Sequence, residues 1–536
     1  MIPSLHNIAR IALLLFLLLP GAYAQQYPDF QITTAGATDP GYYFLCPIRV
    51  GANPSNIGNY HTIMDGSGLV VYYRRFPANM NTGDFKMQAS GLISYYAKAR
   101  FYITDSTFTI VDSAYCQNGV LQDAHDMQLL PNGHYLLLGN ENITTDLSAY
   151  PWFGNNGSPG SSGATVSSGI IQELDAAKNV VFEWHAADHY DFADVDETYL
   201  NDPNNVDWTH LNAVEVDYDG NLLLSVRHFN EITKIDRNTG QIIWRLGGKK
   251  NQFSFPNDPA GFIAQHDARR IANGNITLFD NGRNGMTPHP AAAKEYLLDE
   301  NALSAELVWK YEEGADIISR AMGNVVRRED GKTLIDYGML NKGNTLFNVV
   351  SPDGEKYFEV QFADTLVSYR SFYYASLPWS LNRPVIQCFE SDGQYFLDAG
   401  EGHAIYRWST GANTRVIPVN QAGQYYVYVP KGEGFVSSEI FEVTDPGNPC
   451  LLTDVKDVMP GDFFVRPNPV SDRLTLVFPE GSSASAKVRL SDLTGKTMLS
   501  GIYDAPGGVL NLDLATLPPG VYFLYTNGRS QKVIKL

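Results

Sequence analysis

Two stretches carry the same polar pair at the same offset from a turn: "AHDMQLLPNGHYLLLGN" at 124–140 and "QHDARRIANGNITLFDNG" at 265–282. In each, the histidine of a His-Asp pair stands eight residues before the glycine of an Asn-Gly turn. Imidazole so repeated is chemically useful near neutral pH, as a nucleophile, as a general acid or base, and as a ligand for zinc or copper. Two more imidazoles, His210 and His228, lie in "DWTHLNAVEVDYDGNLLLSVRHFNEITKID" beside Asn212 and Asn230, and a cation follows at Arg245 in "IIWRLGG". Each residue also has an ordinary structural alternative. A histidine at a strand start satisfies its nitrogens on backbone groups, Arg245 pairs with a carboxylate, and Asn230, Asp280 and Asn281 serve turns. Metal ligation by the histidines has no Cys or HExxH companion to strengthen it, so no metal is expected. A second cluster, "EWHAADHYDFADVDE" at 183–197, holds His185, His189, Asp188, Asp191, Asp194 and Asp196. It lacks the spaced glycine and terminal ligand of an EF-hand and reads as a solvated acidic loop.

These residues need elements to hold them. Asn-Gly and Asp-Gly turns followed by apolar alternation recur in "PNGHYLLLG", "YDGNLLLSV", "ANGNITLFD" and "EDGKTLIDY", each the mark of a β-hairpin. Eight residues before Gly133, Gly220, Gly274 and Gly331 stand His125, Asn212, His266 and Gly323, the last three about 55 residues apart. That period is the length of a four-stranded propeller blade with generous loops. An all-β propeller over residues 25–383 is therefore expected. Its innermost strands would bring equivalent positions of successive blades to one axial site, which accounts for the repeated histidines.

The flanks differ in texture. The N-terminus, "MIPSLHNIARIALLLFLLLPGAYAQQ", has the charge, apolar run and Ala-Tyr-Ala site of a signal peptide, assigned to 1–24. No later apolar run is long enough for a membrane span. Residues 384–450, with Trp408 amid short strands, suit a small Ig-like β-sandwich. A linker at 451–463 leads to a further small β-sandwich at 464–536. Export permits disulfides, and the four cysteines pair most simply within domains, Cys46 with Cys116 and Cys388 with Cys450. The net charge of -19, with no cluster of Lys and Arg, argues against nucleic acid.

The tail resembles the C-terminal sorting domain of the type IX secretion system, through Pro467-Asn468-Pro469-Val470, "LSDLTGKTML", "LDLATLPPGVYFL" and Lys532-Val533-Ile534. The resemblance implies the secretion machinery as a partner and a secreted or surface-held product. The propeller segment resembles the arylsulfate sulfotransferase family through "DAHDMQLLPNG", "DWTHLNAVEVDYDGNLLLSVRHFNEITKID", "IIWRLGG" and "QHDARRIANGNITLFDNG". Those relatives are six-bladed propellers that move a sulfuryl group from a phenolic sulfate ester to another phenol through a sulfohistidine. Carried over, the family roles make His266 the nucleophile, surrounded by His125, His228, Asn230 and Arg245. His228 or His125 would be the acid and base, and His210, Asn212, Asp280 and Asn281 would line the site. No cofactor is implied, in keeping with the lack of a GxxxxGK[ST] loop. The expected function is aryl sulfate sulfotransfer between small phenolic molecules, without a nucleotide donor. The rivals are a non-catalytic propeller that binds a ligand or glycan, and a metal-dependent propeller lyase or oxidase.

Overall fold

The computed structural model describes residues 27–536 except 35–38, 40, 50–57, 152, 154–157, 284–287, 342, 344, 363–365, 448, 451–463, 467–469, 479–484, 493–495, 506–507 and 527–528. The expected signal peptide and linker, the Pro467-Asn468-Pro469 motif and Gly495 lie outside the described residues. No described helix is long and apolar enough to cross a membrane. The chain forms two compact units, Met1–Cys450 and Leu451–Leu536.

In the first unit each hairpin signal of the sequence opens a sheet. Gly133, Gly220, Gly274 and Gly331 take φ between 81° and 89°, a region that costs a side chain energy and glycine almost none, and each turns an inner strand back on its neighbour. Four sheets follow simple up-and-down order: residues 82–114, 121–185, 211–247 and 266–312. A fifth, 324–362, takes strand Phe30–Thr34 onto its outer edge. The sixth is closed by both ends of the unit, with Leu366–Tyr374 pairing Tyr42–Arg49 and then Asn59–Asp65 and Val70–Phe76. The innermost strands are Thr82–Met87, Leu121–Leu129, Leu211–Val216, His266–Arg270, Asn324–Arg327 and Leu366–Tyr374. Each touches the next and the last touches the first, so the described sheets form a closed ring.

The bore of that ring is filled by ions. Arg370, 1% exposed, lies 3.1 Å from Asp84 Oδ1 and 3.2 Å from Asp267 Oδ1, and donates to the carbonyl of Asn212 at 2.6 Å. Lys86 bridges Asp84 and Asp126 at 2.8 and 2.7 Å, and Arg269 joins Asp126 to Asp267 at 2.6 and 2.7 Å. Three carboxylates face three cations, so the buried charge cancels. Irregular pairing at Gly83/Lys86, Leu211/Ala213 and His266/Arg269 turns consecutive side chains of an inner strand in different directions. The His-Asp pair exploits this. Its aspartates, Asp126 and Asp267, enter the axial network, while its histidines are left free to line a site.

Residues 384–450 are not a free-standing module. Strands Gly434–Ser437, Val427–Lys431 and Arg407–Trp408 continue the sixth sheet past Val70–Phe76, and Trp408 shares an apolar core with Phe44, Phe85 and Tyr95. An open sheet edge offers unpaired backbone groups, and here the following segment takes them up. Cys388 and Cys450 are disulfide-bonded. The expected Cys46–Cys116 bond is absent. Cys46 accepts the Phe85 N–H in the core of the sixth sheet, whereas Cys116 lies against Leu138 in a separate core between the first two sheets. The second unit stacks a three-stranded and a four-stranded sheet over Val470, Leu476, Val488, Leu512 and Leu524.

A carboxyl outside the axial network ties the ring's pH response to its closure. Asp336, fully buried, accepts from Ser371 Oγ at 2.5 Å and from the Gly338 N–H at 2.9 Å, and burial raises its pKa to about 7. An unfolded aspartate ionises near pH 4, so the unfolded state sheds this proton first. Stability therefore falls as pH rises from about 4 to 7, by on the order of 4 kcal/mol for this group. Asp336→Asn keeps an acceptor for the Gly338 N–H, turns the Ser371 contact into one in which the amide donates, and should flatten that fall when urea midpoints are compared at pH 5 and pH 8.

Candidate active site

Three of the expected histidines meet ring to ring, and the fourth, His266, lies near enough to feel the charges of Arg227, His125 and His210. His125 and His210 meet edge to face with ring centroids 4.8 Å apart, His210 stacks on His228 at 4.6 Å, and Tyr199 covers the other face of His228 at 4.1 Å. His125 comes from the inner strand Leu121–Leu129. His210, at φ 50°, stands just before the inner strand Leu211–Val216. His228 sits in the 3-10 turn Arg227–Phe229, which Asn230 ends in the left-handed conformation. That asparagine is a staple. Its amide donates to Asp196 Oδ2 at 2.7 Å, and its oxygen accepts the Ala264 N–H at 2.8 Å.

The hydrogen bonds fix every tautomer. His125 Nδ1 lies 2.7 Å from Asp123 Oδ1 and His210 Nδ1 lies 2.5 Å from Asp207 Oδ2, so both rings carry the proton on Nδ1 and hold a lone pair on Nε2. His228 donates from Nδ1 to the Asp207 carbonyl at 2.7 Å and accepts from Arg227 Nη1 at Nε2, also 2.7 Å. His266 donates from Nδ1 to Asn281 Oδ1 at 2.7 Å, with the Asn281 amide itself donating to Ser319 Oγ and the Met322 carbonyl. Its Nε2 accepts the N–H of Met322 at 3.1 Å, a residue held at φ 68°.

Burial favours the neutral form of His266, His228 and His210. It drives His266 well below the usual histidine range, with the charge of Arg227 acting in the same sense, and His228 likewise, helped by His210. His210 is also lowered by burial, against the pull of Asp207. His266 is 2% exposed, whereas the side chains of His125 and His210 are 20% and 24% exposed. Two clefts of about 450 and 580 Å³ lie elsewhere, one beside Tyr42, Trp379 and Arg383 and one beside Glu173, Asn221 and Arg237.

The cation differs from the one expected. Arg245 is held by Glu231 Oε2 at 2.7 Å and Asp194 Oδ2 at 2.8 Å, a closed buried ion pair that leaves no charge for a ligand. Arg227, 8% exposed, donates to His228 and to the Arg320 carbonyl and lies 5.1 Å from the centre of the Tyr199 ring. No carboxylate among the described residues forms a salt bridge with it, and its buried Nε has no hydrogen-bond partner. A buried guanidinium without a counter-charge is costly unless an anion completes it. Its only mark in the sequence is its place immediately before His228.

Three other expected ligands are structural. Asn212 donates to the Gln265 carbonyl, Asp280 is taken up by His289 and Lys294, and Asn281 reaches the site only through His266. Nor is 183–197 a solvated loop. Three short 3-10 turns wrap it over the 211–247 sheet at the edge of the site, burying Asp194 on Arg245 and placing Tyr199 on His228, with the Asp196 N–H donating to the His228 carbonyl. The one His/Asp group of metal-ligand spacing among the described residues is Asp207, His210 and His228, within 4.8 Å of one another. Its fit to a metal is poor, since Nδ1 of His228 carries the proton and Arg227 stands on the other nitrogen.

A profile of a family described as arylsulfotransferase (ASST) matches residues 31–370, and one described as a secretion system C-terminal sorting domain matches residues 465–536. The tail thus directs the chain through type IX secretion to the cell surface or the medium. Among solved structures, a protein of unknown function from Bacteroides caccae is similar at 11% identity and a TM-score of 0.40, covering 62% of this chain and 98% of that one. A streptogramin B lyase is similar at 12% identity and a TM-score of 0.32, covering 69% and 94%. Virginiamycin B lyase from Staphylococcus aureus is similar at 10% identity and a TM-score of 0.28, covering 63% and 100%. No curated protein matches the chain.

Proposed function

We propose, since the chain belongs to the arylsulfotransferase family, that it transfers a sulfuryl group from an aryl sulfate to a phenol through a covalent adduct on His266. The observation that carries this reading is Arg227, a buried cation that forms no salt bridge among the described residues and stands against His228 of the histidine cluster. It is suited to the equatorial oxygens of a sulfuryl group, whose negative charge grows during transfer. His266 is suited to attack. It is neutral, its proton is held on Nδ1 by Asn281, and its lone pair lies on Nε2. The Nε2–S bond forms as the bond from sulfur to the aryl oxygen breaks. The Met322 N–H, which meets that lone pair in the free protein, must turn aside and is then close enough to donate to a sulfuryl oxygen.

The leaving phenolate needs a proton and the acceptor phenol must lose one. His228 is poorly placed for this, because Arg227 occupies its Nε2 and rings cover both faces. His125, with its side chain 20% exposed and its Nε2 unoccupied among the described residues, suits the task.

Ping-pong kinetics test the reading. Initial rates at varied aryl sulfate and phenol should give parallel double-reciprocal lines, with no donor turnover when phenol is omitted. Intersecting lines would favour direct transfer, and no turnover with any donor would favour a binding propeller. Arg227→Lys should lose about 10²-fold or more in kcat/KM, because a point charge cannot replace the fork that meets both His228 and an oxyanion. Arg245→Lys should instead cost stability, with kcat/KM per folded molecule within about 5-fold of the parent.

A further inference from the structure

We infer that Asp123 is a positioning residue that makes His125 the proton carrier of the transfer. The inference rests on the sulfuryl-transfer reading above. Asp123 Oδ1 accepts from both the backbone N–H and Nδ1 of His125, each at 2.7 Å, and the Asn140 amide donates to its Oδ2 at 3.1 Å from the neighbouring strand. The carboxylate is held below its usual range. Burial opposes this, but the charge and hydrogen bonds of His125 prevail. From the other side, Tyr369 donates to the His125 carbonyl at 2.8 Å. The ring is thereby fixed with Nδ1 toward the protein and Nε2 toward the space beside His210.

A histidine that takes up a proton at Nε2 places a full charge on the ring, and a carboxylate on Nδ1 favours that charge. In the first half-reaction protonated His125 gives its Nε2 proton to the departing aryl oxygen as the His266–S bond forms. In the second, neutral His125 takes the acceptor's phenolic proton as the new O–S bond forms and the N–S bond breaks. Each half-reaction leaves the ring ready for the other, so no outside acid or base is consumed. His210 carries a similar carboxylate in Asp207, but its ring is packed between His125 and His228. Asp207 also anchors His228 through its carbonyl, so its loss would disturb two rings at once.

The test uses the identity of the leaving group. Asp123→Asn retains the shape and an acceptor oxygen but removes the charge. With phenyl sulfate, whose weakly acidic phenol must be protonated, kcat should fall about 10²-fold. With 4-nitrophenyl sulfate, whose phenolate leaves unaided, the single-turnover sulfuryl capture by the enzyme should change less than about 5-fold. His125→Gln should show the same split, and the double variant no more than the larger single loss. Equal losses with both donors, or no loss with either, would overturn the assignment of Asp123. A wild-type protein that captures sulfuryl groups from neither donor would overturn the transfer reading itself, and the two failures are thus distinct.

Discussion

His266→Ala should reduce sulfotransfer by 10⁴-fold or more while leaving the protein folded. Removing a nucleophile deletes the covalent route altogether, and only the uncatalysed background remains. The imidazole is also a packed part of the ring, joined to Asn281, Ala264 and Met322 by hydrogen bonds. Its truncation leaves the Asn281 oxygen and the Met322 N–H without their partner, which costs about 1–3 kcal/mol for each that stays dry. The variant should therefore unfold earlier in urea, and the rate must be normalised to folded protein. Asn281→Ala separates the two effects. It keeps the nucleophile but frees the ring to carry its proton on either nitrogen, so a loss of about 10- to 100-fold is expected, with the adduct still formed. If His266→Ala retained more than a hundredth of the parent rate, the nucleophile would lie elsewhere in the cluster.

Arg370→Met should be the most destabilising single change in the propeller. The substitution leaves Asp84, Asp126 and Asp267, all buried, with only Lys86 and Arg269. Breaking a buried ionic network from one side costs about 3–5 kcal/mol, because the remaining charge cannot be hydrated. The carbonyl of Asn212 loses its donor as well. Equilibrium urea unfolding of residues 25–450 measures the effect as a lower midpoint. Replacing Asp84 by Asn in the same background removes the one surplus carboxylate charge and should restore part of the loss, a coupling expected of groups in one network. A midpoint within experimental error of the parent would mean that the axial ions neither pair nor stabilise the ring.

The repeat of His-Asp before a glycine turn was enough to locate the inner strands, since a three-residue hairpin loop favours a glycine at positive φ in its last position and the count back to the bore is then fixed. It also marked His125 and His266, whereas His228 and His210 were legible only through the family resemblance and the segment that carries them. What it could not distinguish was which arginine is charged for function. Arg227 and Arg245 look alike in sequence, and only the carboxylates of Glu231 and Asp194, brought in by the neighbouring strand and the 183–197 segment, neutralise one and leave the other. The same segment has the composition of a solvated acidic loop, yet its aspartates cap turns and pair inward, a matter of how the chain folds back on the 211–247 sheet. Cys46 and Cys116 are close in sequence order but belong to different cores, which spacing alone does not reveal. Strand pairing across residue 384 was hidden for a similar reason, since an unpaired sheet edge leaves no mark in composition.

The most direct measurement is the mass of the intact protein after brief exposure to 4-nitrophenyl sulfate without acceptor, followed by peptide mapping. A gain of about 80 Da, located on His266, discharged by phenol and absent from His266→Ala, is the result expected of a sulfohistidine intermediate. An unchanged mass in a folded protein that nonetheless consumes donor in the presence of phenol, or an adduct located on His125 or His210, would contradict it.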